Sequence, residues 1–99
     1  MNSIIKWIEN WLASQCDGDW EHEYGIKIYT TSNPGWTILI DLEYTGIENL
    51  NIDVGTIEKG EDDWFFYHIK NKKFTASGDT SKLEFLLMQF KEIAESHTV

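Results

Sequence analysis

EHEYGIKIYTTSNPGWTILIDLE, residues Glu21 to Glu43, is the stretch whose reading decides the fold. From Glu21 to Thr30 the apolar groups alternate, placing His22, Tyr24, Ile26 and Ile28 on one face and Glu23, Gly25, Lys27 and Tyr29 on the other. Trp36 to Glu43 repeats the pattern, with Trp36, Ile38, Ile40 and Leu42 inward and Thr37, Leu39, Asp41 and Glu43 outward. Between the runs, Ser32-Asn33-Pro34-Gly35 is a turn sequence, so the two strands are expected to form a hairpin. Pairing Ile28 with Ile38 also pairs Ile26 with Ile40 and Tyr24 with Leu42, so one register keeps the apolar residues together.

Working outward, residues 3 to 15 carry Ile4, Trp7, Ile8, Trp11 and Leu12 on one helical stripe, with Ser3 or Asn2 available as N-cap. Cys-Asp-Gly-Asp then breaks the helix at Gly18. After a connection over residues 44 to 50, the segments Asn51 to Glu58, Asp63 to Lys70 and Lys73 to Ser77 read as three shorter strands. A turn at Asn71-Lys72 sets Ile69 opposite Phe74 and Tyr67 opposite Ala76, and a loop through Lys59 to Asp62 sets Val54 opposite Tyr67 and Ile52 opposite Ile69. That pairing leaves Ile57, Trp64 and Phe66 on the opposite face. Asp79-Thr80-Ser81 opens a last helix, with a Ser81 to Glu84 capping box and a stripe of Leu83, Leu86, Leu87, Phe90, Ile93 and Ala94. The expected fold is α+β: one domain over residues 1–99, a five-stranded antiparallel meander-like sheet with N- and C-terminal helices packed on one face.

Charge narrows the function more than length does. The 99 residues carry seventeen Asp and Glu against eight basic residues, all of them Lys, for a formal net charge of −9. A surface so acidic repels nucleic acid and anionic lipid at long range, and without arginine it lacks the forked donors that bind phosphate. A basic protein is the partner that electrostatics favours, although the same charge also serves plain solubility. No apolar run is long enough to span a membrane, no leader pattern opens the chain, and one cysteine makes no internal disulfide, so a cytoplasmic protein is expected.

The densest chemistry lies in QCDGDWEHEYG, residues Gln15 to Gly25. His22 with Asp17, Asp19, Glu21 and Glu23 offers metal ligands, but the stretch lacks the further ligands of a calcium loop and the strand reading turns Glu21 and Glu23 away from His22. Neither metal nor other cofactor is expected. Cys16 precedes a Gly-containing loop, as some nucleophiles do, yet activation needs a positive environment or a nearby base, and its sequence neighbours are carboxylates. Glu23, Asp41 and Glu43 share the outward hairpin face, where a solvated surface explains them without a catalytic cleft. Trp7 and Trp11 belong to the first helix's stripe, whereas Trp20 and Trp64 fit either a buried position or a protein-binding surface.

These residues also carry a resemblance. Cys16 through Ile28, Asn33-Pro34-Gly35-Trp36, Ile40-Asp41-Leu42-Glu43, Glu61-Asp62-Asp63-Trp64 and the segment from Lys73-Phe74 to Gly78-Asp79 before the last helix resemble the immunity protein 53 family of bacterial polymorphic-toxin systems. After Leu-Glu, where that family carries Gly, this sequence has Tyr44. The resemblance implies a cytoplasmic antidote that binds and neutralises a cognate toxin, without catalysis. Together with the acidity, it suggests inhibition by occlusion of a basic toxin domain such as a nuclease. The expected toxin-binding residues are Asp17, Asp19, Trp20, Glu21, Glu23, Asp41, Glu43 and Trp64, with Trp20 as anchor. Two alternatives stand beside this reading: the loop acids and Trp20 are structural, or the chain is a small thiol- or metal-dependent hydrolase using Cys16 or His22.

Overall fold

The computed structural model describes residues 3–97. The elements run α1 (Ile4–Gln15), α2 (Trp20–Glu23), β1 (Ile26–Thr31), β2 (Gly35–Asp41), β3 (Ile52–Gly60), β4 (Asp63–Lys70), β5 (Lys73–Gly78) and α3 (Leu83–Ser96). The fold is α+β, an open five-stranded antiparallel sheet with helices α1 and α3 on one face.

Alternation fixed the pairing. Ile26 faces Ile40 and Ile28 faces Ile38 in the first hairpin. Val54 faces Tyr67, Ile52 faces Ile69, and across the Asn71-Lys72 turn Ile69 faces Phe74 and Tyr67 faces Ala76. Asn71 and Lys72 both have positive φ, 53° and 63°, the geometry that a two-residue hairpin turn demands. The strand order β1-β2-β5-β4-β3 shows where a simple meander fails: β2 pairs with β5, so the last three strands fold back to dock on the first hairpin. That docking puts Ile38 against Ala76 and Ile40 against Phe74 at the centre of the apolar face.

Five details differ from the sequence reading, each for a local reason. The Glu21 to Thr30 run does not start as a strand: Trp20–Glu23 is a single helical turn, entered through a loop whose amides, from Asp17 to Trp20, donate to the Asp17 and Glu21 carboxylates, and pairing begins only at Ile26. Ile28 consequently lies on the edge strand, beyond the helices, and is exposed. The β3–β4 connection is a tight turn with Gly60 opposite Asp63, and register shifts in β3 set Ile57 opposite Phe65, returning Ile57 to the helix side. The Ser81 to Glu84 capping box does not form; Lys82 takes the N-cap position, and the Ser81 hydroxyl and amide both donate to Asp79. Leu12 sits at the margin of its stripe and is exposed. The N-terminal cap is as expected from Ser3, whose hydroxyl accepts from the Lys6 amide, while Asn2 lies outside the described residues.

The core joins Ile4 and Ile8 of α1, Leu86, Leu87, Phe90 and Ala94 of α3, and Ile38, Ile40, Ile69, Phe74 and Ala76 of the sheet. Burying each large side chain contributes about 1.5–3 kcal/mol. Trp7 and Trp11 pack edge-on against Phe90, tying α1 to α3.

Candidate functional site

The acidic loop is built by its own carboxylates. Asp17 Oδ1 accepts from the amides of Asp19 and Trp20, at 3.0 and 2.9 Å, and the Glu21 carboxylate accepts from the amides of Asp17 and Gly18, at 3.0–3.1 Å. Gly18 supplies the left-handed backbone, φ 98°, that bends the chain back over these acceptors. The Trp20 amide, more than any other contact, draws the Asp17 carboxyl below its ordinary range; Glu21 is lowered too, chiefly by its own amide and then by those of Gly18 and Asp17.

Trp20 closes the loop onto the body. It is only 5% exposed, its indole N–H donates to the Glu43 carbonyl at 2.7 Å, and its ring stands edge-on to Trp11. Trp20 therefore offers almost no surface for an anchor contact. Its burial follows from α2, which turns it inward under α1, where a strand would have pointed it elsewhere.

The loop's four acids are all exposed, but the Asp17 and Glu21 carboxylates are taken up by amides, leaving Asp19 and Glu23. Neither has an ion-pair partner among the described residues, and they line a cleft of 360 Å³ with Asp17, Trp20, Tyr24 and Tyr44. Rings lead from this cleft into the core: Tyr44 to Tyr24 at 6.2 Å, Tyr24 to Trp20 at 5.9 Å, Trp20 to Trp11 at 6.2 Å and Trp11 to Phe90 at 5.0 Å. Burial, then the negative charges of Glu23 and Glu43, push the Tyr24 phenol above its ordinary value.

Asp41 and Glu43 adjoin the loop but are engaged. Asp41 accepts from the Gly25 amide at 3.0 Å and from Lys73 Nζ at 2.6 Å, and Glu43 Oε2 lies 3.5 Å from the same ammonium. The hydrogen bond that Lys73 donates to Asp41 raises the Lys73 pKa, with the charge of both acids assisting. Glu43 Oε1 is buried without a hydrogen-bond partner among the described residues. Trp64 belongs to another region. Its ring edge lies 3.2 Å from where a Gly35 side chain would begin, and Gly35 and Asp41 stand at opposite ends of β2, about 20 Å apart at ~3.3 Å per residue. There Trp64 lines a shallow groove with Glu58, Glu61 and Asp62. The expected set thus divides into a cluster around the Asp17 to Glu23 loop and a separate Trp64 region.

Among the described residues, no hydrogen bond joins Cys16 to His22. The Cys16 thiol is exposed and donates to the Leu12 carbonyl at 3.3 Å. Among the described residues, no group of three or more His, Cys, Asp or Glu is arranged to hold a metal ion. No helix is long and apolar enough to cross a membrane. Tyr44, absent from the expected set, is the most exposed large hydrophobic side chain among the described residues, at 81%. The sequence signal for it was the tyrosine standing where the resemblance expects glycine.

An acidic, aromatic-backed surface on an open α+β sheet is the equipment of a binding domain. The family model described as Immunity protein 53 matches residues 5–95, and the chain belongs to that family. No curated protein and no solved structure matches it. Membership gives the chain an immunity role in the family's terms, that of a toxin inhibitor.

Proposed function

We propose that this protein binds a cognate toxin domain in the cytoplasm of the producing cell and neutralises it by covering the basic surface with which the toxin engages its own substrate. One observation carries the reading: the unpaired Asp19 and Glu23 carboxylates flank an exposed tyrosine on an arginine-free chain of net charge −9. Asp17 and Glu21 shape the loop and add to its negative field, and Asp41 and Glu43, neutralised in part by Lys73, border it. Trp20 serves as the loop's internal support. Trp64, with Glu58, Glu61 and Asp62, is a second and separate contact region. A basic nuclease domain is the toxin class that this charge fits best.

Charge steers such encounters, so the test is reversal at the two unpaired positions. Asp19→Lys with Glu23→Lys removes no hydrogen bond within the described residues and leaves folding intact. Binding is measured by calorimetry against the purified cognate toxin domain. The association constant is expected to fall at least tenfold, and its dependence on salt to flatten. Unchanged affinity in the charge-reversed chain refutes this surface assignment.

A further inference from the structure

Resting on the antidote reading above, we propose that Tyr44 is the aromatic anchor of the toxin contact, and that its ring, with Asp19 and Glu23, receives a lysine or arginine side chain of the toxin. The first support is backbone conformation. The Thr45 amide donates to the Leu42 carbonyl at 3.0 Å, closing a turn in which Tyr44 is the third residue, with φ 63°. Turns with positive φ at that position alone favour glycine, since a side chain there is strained. The other non-glycine residues of positive φ, Asn71 and Lys72, are accounted for by their hairpin turn. No such need explains a tyrosine at 44.

The surroundings hold this conformation in place. The Tyr44 amide donates to Glu48 Oε2 at 2.8 Å, and the Thr45 hydroxyl donates to the Leu42 carbonyl at 2.7 Å. Both bonds belong to the backbone turn and would survive replacement of the Tyr44 side chain. The ring gains little from the fold in return: it stays 81% exposed and touches Tyr24 alone among the rings. A strained, exposed aromatic side chain whose removal would ease the fold is retained for what it touches outside the molecule.

The partner's chemistry follows from the cleft. Tyr44 stands on a column of rings, Tyr24, Trp20 and Trp11, that reaches Phe90 in the core, so its support is rigid and little freedom is lost on binding. Beside it are two carboxylates with no cation of their own among the described residues, Asp19 and Glu23. The ring face of a tyrosine attracts an ammonium or guanidinium, and adjacent carboxylates complete its coordination. An aliphatic or acidic side chain would leave those carboxylates desolvated and unpaired.

The probe is the purified cognate toxin domain, titrated into Tyr44 variants. Tyr44→Gly is expected to bind at least tenfold more weakly while melting at or above the temperature of the unsubstituted chain. That combination is one that a structural role could not produce. Tyr44→Lys is expected to bind at least tenfold more weakly than Tyr44→Glu, because an added ammonium repels the incoming cation. No binding by the unsubstituted chain overturns the antidote reading and the anchor with it. Binding by Tyr44→Gly within twofold of the unsubstituted chain overturns the anchor alone, and equal binding by the Lys and Glu variants overturns the cationic partner.

Discussion

Removing the Asp79 side chain should unfasten the sheet from α3, and the contacts say by how much. Asp79 is 3% exposed, and its carboxylate accepts from the Trp64 amide at 2.9 Å, the Ser81 amide at 2.8 Å, the Ser81 hydroxyl and Lys82 Nζ at 2.6 Å. Asp79→Ala leaves those donors without an acceptor, although Lys82 keeps Asp63 at 2.9 Å. Breaking a buried ion pair by deleting one partner costs about 3–5 kcal/mol, and the surviving Asp63 contact places this case near 3 kcal/mol. For a domain of this size the melting temperature should fall by roughly 12–24 °C. Burial alone would raise the Asp79 pKa, but Lys82, Ser81 and the Trp64 amide outweigh it and hold the carboxyl well below its ordinary range. A group depressed in the folded state contributes fully above its unfolded pKa of about 4 and loses that contribution as pH falls toward the folded value. Urea unfolding followed by tryptophan fluorescence should therefore show the unsubstituted chain weakening below about pH 4 more steeply than Asp79→Ala. A variant within ~0.5 kcal/mol of the parent at pH 7, or one with an equal acid slope, would refute the assignment.

Two further perturbations test the remaining supports. Trp20→Ala should destabilise the chain by about 3–5 kcal/mol, as a buried aromatic does, with a loss seen in thermal melts before any toxin is added. Gly35→Ala would place a carbon 2.3 Å from the Gly78 carbonyl oxygen, so β2 and β5 must separate at that end. Its cost should be at least ~2 kcal/mol in urea unfolding, and a neutral result would mean that the two strands do not approach as described.

The pairing of strands was legible because alternation leaves few registers in which every apolar residue is buried, and Ile26-Ile40, Ile69-Phe74 and Val54-Tyr67 all follow from it. The junction of β2 with β5 was not, since Ile38 and Ile40 would suit any apolar strand and nothing local selects Ala76 and Phe74. The acidic loop misled for a different reason. Glu21 and Glu23 alternate with His22 as a strand would, yet side-chain acceptance of four backbone amides decided for a helical turn. The same competition displaced the Ser81 capping box, because Asp79 was the better acceptor for Ser81. Ile57 changed faces because register shifts in β3 leave no mark in the hydrophobic pattern. Trp64 and the loop are close in composition but stand at opposite ends of β2, a separation that becomes visible only once the hairpin is extended.

The distribution of cations leaves Asp19 and Glu23 at the loop end, like Glu58, Glu61 and Asp62 beside Trp64, without an ion pair among the described residues. Lys6, Lys70, Lys72, Lys73, Lys82 and Lys91 all lie within ion-pair distance of acids. Apart from the buried Lys82–Asp79 pair, these are mostly well exposed, and each such exposed pair stabilises the fold by no more than about 1 kcal/mol. Their larger effect is to cancel charge locally and confine the surplus to places without lysine. Lys73, beside the cleft, is already held by Asp41 and Glu43, and Asp19 and Glu23 have no ion-pair partner among the described residues. Asp17 and Glu21 add to this field while their hydrogen bonds fix the loop, and Trp20 locks the loop to the segment just after β2 through the Glu43 carbonyl. Charge that is fixed before the encounter needs no reorganisation on contact, and this makes an acidic loop with a buried tryptophan beneath it a better recognition surface than a mobile tail of equal charge.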